Sequence, residues 1–253
     1  MKKMEAGHPD RQGSPLIIEL VGLAGAGKTT LLHALSRRSE EIQIGAEIEL
    51  RKLRHVPVFV RSAPPLLPII LHPGRRGRWF TWEEIKYLVY LNAWPHVLEQ
   101  QAAHGGTAIL LDHGPVFKLA TLEAFGPDYL KTERSEAWWN AMFKKWASTV
   151  DMVIWLDAPD PILEKRINSR SQRHVVKGKT EIEAFHFLGR YRMAYEQILA
   201  RLMIDGGPAL FQFDTSQTTI EQMVDEVLVT VASHCEGTRR TVAWPELQNN
   251  IVR

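Results

Sequence analysis

The sequence predicts an α/β protein whose parallel sheet carries helices on both faces. Three observations predict it. Short apolar runs alternate with segments of helical spacing along most of the chain. Hairpin signals between the runs are few, so successive strands are joined by crossover helices. The first run feeds a glycine-rich turn that ends in Gly-Lys-Thr and opens a helix.

Composition sets the outer limits. The chain has 253 residues, 45% hydrophobic and 24% charged, which suits one globular domain with a sizeable core. A formal net charge of +2 gives no global attraction to nucleic acid, so no nucleic-acid polymer is expected as a partner. Cys235 is the only cysteine, which excludes an intrachain disulfide and a cysteine-based zinc site. It suits a reducing cytosol, and a cytoplasmic location is expected. No apolar run reaches about 18 residues, so no membrane span is expected. Residues 1–14 are polar and basic and read as a flexible arm. Residues 15–235 read as one domain, and residues 236–253 as a tail without a clear element.

Pro15 to Val21 is an apolar run short enough for a buried strand. The turn Gly22-Leu23-Ala24-Gly25-Ala26-Gly27-Lys28-Thr29 follows, and Lys28 to about Arg38 has helical spacing through Thr30, Leu31, Leu32 and Leu35. Ile42 to Leu50 partly alternates and reads as a second strand, with Glu47 and Glu49 on one face. Arg51 to His55 is a basic patch. Val56 to Leu71 holds Pro57, Pro64, Pro65 and Pro68, so no long helix spans it. His72 to Arg78 is a loop in which Arg75, Arg76 and Arg78 are candidates for an anion clamp or for a solvated surface.

Thr81 with Glu84 three residues on is a capping box. It opens a helix to about His104, with a kink or break expected at Pro95. Thr107 to Asp112 is a buried strand ending in an acid, His113-Gly114-Pro115 its turn, and a helix runs on to Ala124. Ser135 to Thr149 is a helix bearing Trp138, Trp139, Phe143 and Trp146. Asp151 to Asp157 is a strand, and Asp160-Pro161 starts a helix to about Ser169. Residues 168–181 form a short basic lid, and Glu181 to Met203 is a long amphipathic helix. Ala209 to Asp214 is the last strand and Thr219 to Val231 the closing helix.

The opening turn carries the strongest chemical signal. Glycines let backbone N–H groups close on phosphate oxygens, and the helix that follows turns the positive end of its dipole to the same anion. Gly22, Ala24, Gly25, Ala26, Gly27, Lys28, Thr29 and Thr30 are therefore the candidate nucleotide-binding residues of a phosphate-binding P-loop. Lys28 can reach the β and γ phosphates, and the Thr29 hydroxyl can sit on Mg²⁺. Asp112 arrives at the carboxyl edge of the sheet, where it either holds Mg²⁺, accepts a proton from an attacking hydroxyl, or caps the next helix. Arg166, Arg170 and Arg173, with Lys177 and Lys179 beyond, either neutralise charge on a transferring phosphoryl group or form a solvated helix end.

Taken in order, these residues resemble the thymidylate kinase and deoxynucleoside kinase group of P-loop kinases. The resemblance rests on the P-loop and on Leu111-Asp112-His113-Gly114-Pro115. It continues in Val153 to Pro159 leading into Leu163-Glu164-Lys165-Arg166-Ile167, in Arg170 and Arg173, in the helix from Tyr191 to Leu199, and in Phe213-Asp214-Thr215-Ser216. It spans about residues 15–232. It implies a three-layer α/β core of the P-loop NTPase kind and ATP with Mg²⁺ as donor. Lys28 and Thr29 would serve ATP and the metal, Asp112 would be base or metal ligand, and Arg166, Arg170 and Arg173 would be lid groups.

The chain departs from that group on the acceptor side. His113 stands where an arginine follows the acid, the Arg-Glu-Pro-Gly segment is absent, and Asn92, Ala93 and Trp94 occupy the helix region that carries an arginine in those enzymes. Trp79, Phe80, Trp82, Tyr87, Tyr90, Trp94 and Phe117 are available to stack a base or sugar, or to fill the core. The expected activity is an ATP-dependent small-molecule kinase acting on a nucleoside, nucleotide or related acceptor. The alternatives are a kinase of the same fold acting on a sugar or other metabolite, and an ATP-binding or ATPase module without a small acceptor. A homodimer is left open.

Overall fold

The computed structural model describes residues 14–45, 60, 64–70, 78–204 and 206–237. Five strands form one sheet: β1 Leu16–Gly22, β2 Ile42–Ile44, β3 Ala108–Asp112, β4 Met152–Asp157 and β5 Ala209–Asp214. Every pairing is parallel, and the order across the sheet is β2-β3-β1-β4-β5. The helices are α1 Lys28–Arg38, α2 Leu67–Ile70, α3 Trp82–Ala102, α4 Pro115–Phe125, α5 Glu136–Ala147, α6 Asp160–Ser169, α7 Glu181–Met203 and α8 Ile220–Gly237. The strand–helix alternation read from the sequence is thus a parallel three-layer α/β fold.

All seven residues of β1 are buried, as are the apolar residues of β3 and β4. Strands covered on both faces read as continuous apolar runs, which is why these three were legible. Register is held at the sheet's lower edge by Asp151, whose Oδ2 accepts the Ile17 N–H at 2.7 Å. The consequence lies at the upper edge. Leu20 pairs with Asp112 and Gly22 with Leu156, so β3 delivers its terminal acid beside the P-loop.

Two helix starts follow local chemistry. The Thr81 hydroxyl accepts from Glu84 N while Glu84 accepts from Thr81 N, the predicted capping box. Thr180 and Glu183 repeat it at the start of α7. Pro95 does not break α3, which runs on to Ala102. Leu91, Trp94, Val97 and Leu98 are buried on both sides of the proline, so packing outweighs the lost backbone bond.

The strand expected from Ile42 to Leu50 ends at Ile44, with Gly45 outside it, and residues 46–50, with Glu47 and Glu49, the patch Arg51–His55, Arg75 and Arg76 lie outside the described residues. The closing helix runs six residues past the expected Val231, to Gly237. Among the described residues no helix is long and apolar enough to cross a membrane.

Candidate active site

The P-loop sits at the C-terminal end of the central strand. Gly22 passes so close to β4 that a Cβ there would stand 2.0 Å from the Leu156 carbonyl oxygen, so only glycine fits. Gly25 and Gly27 have φ of 89° and 95°, left-handed conformations that glycine adopts without strain. Ala26 is fully buried and bonds back to Leu23 O, closing the turn. Thr29 and Thr30 are exposed at the start of α1.

Lys28 curls over the loop and donates to Gly22 O at 2.7 Å and Leu23 O at 3.1 Å. Burial pushes its ammonium pKa down to about 8, against the pull of Asp112 and with the push of Arg170. These couplings place Asp112 and Arg170 within electrostatic reach of Lys28. Asp112 Oδ1 is buried and accepts no hydrogen bond from the described residues. A buried carboxylate oxygen left without a donor suits a metal, a water or an acceptor proton. Among the described residues no cluster of three His, Cys, Asp or Glu forms a metal cage. A P-loop threonine hydroxyl and one carboxylate are oxygen donors of the kind Mg²⁺ takes when nucleotide phosphates and water complete its shell. The residues present therefore fit ATP with Mg²⁺.

The turn after Asp112 is strained. His113 has φ 54°, left-handed for a non-glycine residue. Its Nδ1 is 3.8 Å from Asp112 Oδ1, and its ring lies 4.4 Å from the Phe117 ring. The turn sets the N-terminus of α4 directly over Glu19, a fully buried acid in the middle of β1. The Glu19 carboxylate accepts from Val116 N at 2.8 Å and Phe117 N at 2.9 Å. It does the capping that Gly114, with no side chain, cannot. Burial outweighs these bonds and raises its pKa to about 7.

A cavity of about 310 Å³ opens beside Asp112. Tyr87, Tyr90 and Trp94 of α3 face Phe117 of α4 across it. Four of the aromatic residues singled out by sequence thus line one space. Asp112, His113, Lys118 and Glu83 also line it.

The arginines divide. Arg170, exposed at the end of α6, is electrostatically coupled to Lys28 and to His174 in the segment between α6 and α7, whose pKa burial and these two cations lower. Arg166 is committed elsewhere: it donates to Gly25 O at 3.3 Å, Thr215 Oγ1 at 2.8 Å and Thr215 O at 2.9 Å. Arg173 is exposed and makes no hydrogen bond among the described residues. Arg78 is held by Glu84 at 2.8 and 2.5 Å and by Phe125 O. It ties the start of α3 to the end of α4, well away from the role of an anion clamp.

Sequence reasoning passed over three groups. Glu19 had a signal, one acid inside an apolar strand. Lys118 had none, since one lysine on a predicted helix reads as surface. Arg192 of α7 donates to Asp157 at 2.7 and 3.2 Å and to Asp160 at 2.7 Å, locking the end of β4. Such a partner 35 residues away is invisible in a linear pattern.

No protein-family model matches the sequence, and no curated protein sequence matches it. Solved structures do match the fold. A thymidylate kinase from Candida albicans aligns with a TM-score of 0.52 at 13% identity, over 87% of this chain and 92% of its own. A deoxyadenosine kinase from M. mycoides, with dCMP and dCDP bound, aligns with a TM-score of 0.49 at 14% identity, over 86% of this chain and 100% of its own. The likeness at this identity is one of architecture: the chain has the three-layer α/β P-loop fold that thymidylate kinase has.

Proposed function

We propose that the chain is an ATP-dependent small-molecule kinase whose acceptor occupies the aromatic cavity beside Asp112. One observation carries the reading. Asp112 belongs both to the surroundings of Lys28 and to the wall of the cavity, so a triphosphate on the P-loop and a molecule in the cavity would meet at one carboxylate.

The roles follow from position. The P-loop amides and Lys28 bind the β and γ phosphates, and the α1 dipole adds to the attraction. Thr29 and Asp112 would hold Mg²⁺, and ATP with Mg²⁺ would supply the transferable phosphoryl group. Asp112 also accepts the proton of an acceptor hydroxyl, a task for which its unpartnered buried oxygen is suited. Arg170 brings a second positive charge to the phosphates when the lid closes. We assign Arg166 to positioning, because its three hydrogen bonds hold the P-loop at Gly25 against Thr215. Arg173, exposed and without a hydrogen bond among the described residues, stays with Arg170 as a group that meets the phosphates when the lid closes.

The acceptor class that fits is a nucleoside, nucleotide or related molecule able to stack among aromatic rings. A non-nucleotide metabolite is the second reading. It is favoured by the absence of any arginine from the cavity lining among the described residues. The test is ADP release from ATP and Mg²⁺ with a panel of nucleosides, nucleoside monophosphates and sugars. At least one acceptor should raise ADP release well above the rate without acceptor, and Lys28→Ala should abolish the rise. Acceptor-independent hydrolysis with every compound would instead favour an ATPase module.

A further inference from the structure

The residue after Asp112 is held in a conformation that its own side chain disfavours. His113 has φ 54°, and a left-handed residue with a Cβ persists only where its surroundings over-determine it. The strain falls at the transfer site itself, since Asp112 ends β3 and both residues line the cavity.

Lys118 meets this turn from α4. It lies one turn into the helix and is only 5% exposed. Its backbone N–H donates to Gly114 O at 3.1 Å, and its ammonium reaches back to donate to the His113 carbonyl. The Trp94 ring centre lies 4.4 Å from the ammonium and the Tyr90 ring centre 5.6 Å, so two rings of α3 confine it. Glu19 answers its charge. Burial raises the Glu19 carboxyl to about 7, against the pull of the Phe117 and Val116 amides and of Lys118. A buried, charge-balanced lysine with a carbonyl partner is a fixed donor.

That donor controls what lies on the other side of His113. The His113 Nδ1 is 3.8 Å from Asp112 Oδ1, and its ring is 4.4 Å from the Phe117 ring. A His113 backbone outside the left-handed region would carry the imidazole away from both. Asp112 Oδ1 accepts no hydrogen bond among the described residues, so its aim depends on the backbone that carries it.

Building on the phosphotransfer reading, we infer that Lys118 is a positioning residue: by holding the His113 carbonyl it fixes the left-handed turn that aims Asp112 at the acceptor. It acts through His113 and not on the reacting atoms. Misplacing a reacting group by an ångström is enough to slow a reaction about 10²-fold, so a buried bond behind the site carries kinetic weight.

The experiment pairs crystal structures with kinetics on the full chain. In Lys118→Met, His113 should leave the left-handed region. With ATP, Mg²⁺ and an acceptor from the panel above, kcat should fall about 10- to 10²-fold while the KM for ATP barely changes. Lys118→Arg, which still donates to a carbonyl, should keep several-fold more of kcat than Lys118→Met. Where Lys118→Met folds poorly because Glu19 loses its counter-charge, Glu19→Gln/Lys118→Met is read against Glu19→Gln, which removes that conflict. An unmoved His113, an unchanged kcat, a loss carried by the KM for ATP, or Lys118→Arg as slow as Lys118→Met would each overturn the inference. A wild type that transfers to no acceptor rejects phosphotransfer instead, and the two crystal structures still decide whether Lys118 holds the turn.

Discussion

Gly114 leaves room for the Glu19 carboxyl: a Cβ at position 114 would stand 2.5 Å from Glu19 Cδ and 2.7 Å from its Oε2. Neither partner can retreat easily, since Glu19 is fixed in the central strand and Gly114 begins α4. The pair sets where α4 starts, and therefore where Asp112 and Lys118 point. Gly114→Ala should lower stability by about 1–3 kcal/mol in denaturant unfolding, the range for overpacking a closed site. Unchanged stability would show that the contact is slack.

Glu19 also predicts a pH dependence. Its folded pKa of about 7 is above the ordinary carboxylate value of 4.5, so the folded state holds the proton more tightly than the unfolded chain. This contribution is fully present below pH 4.5 and is lost as pH rises through about 7. Glu19→Gln cannot titrate there. The difference in stability between wild type and Glu19→Gln, followed by denaturant melts across this range, should move against the wild type as pH rises.

Lys28 predicts a second one, of opposite use. Its pKa of about 8 without phosphate means that the ammonium begins to lose its proton just above neutrality. Phosphate oxygens favour the charged form, so ATP affinity should weaken as pH rises through 8. Lys28→Arg, which stays charged, should flatten that dependence in the same titration.

The two lid-side arginines should separate cleanly. Arg170→Ala should lower kcat by about 10²-fold with little change in melting temperature, because its side chain is exposed and its reach is electrostatic. Arg166→Ala removes one hydrogen bond to Gly25 of the P-loop and two to Thr215 and should cost about 1–3 kcal/mol of stability while weakening ATP binding. The reverse pattern in paired melting and kinetic measurements would contradict the division.

The parts of the molecule that could be read from sequence are those that local chemistry dictates. A strand–Gly-rich turn–helix specifies the P-loop whatever surrounds it, and Thr81 with Glu84 specifies a helix start by two reciprocal bonds. Asp112 was legible because a buried strand has one exit. Arg166, by contrast, looked like a lid residue because its partners, Gly25 and Thr215, are 141 and 49 residues away. Lys118 carries no signal in the sequence because only folding sets the three rings of α3 around it. Helix α3 ran through Pro95 because burial on both sides outweighs one lost bond, a balance that propensity alone does not contain.

The central claim is that Lys28 and Asp112 serve one transfer site, with the acceptor in the aromatic cavity. The most direct measurement follows the radiolabelled γ-phosphate of ATP, with an acceptor that binds the cavity, in wild type and in Asp112→Asn. The account predicts that wild type moves the label onto the acceptor, and that Asp112→Asn binds both ligands but transfers about 10²–10⁴-fold more slowly. Label appearing only in inorganic phosphate, or transfer undiminished in Asp112→Asn, would contradict it.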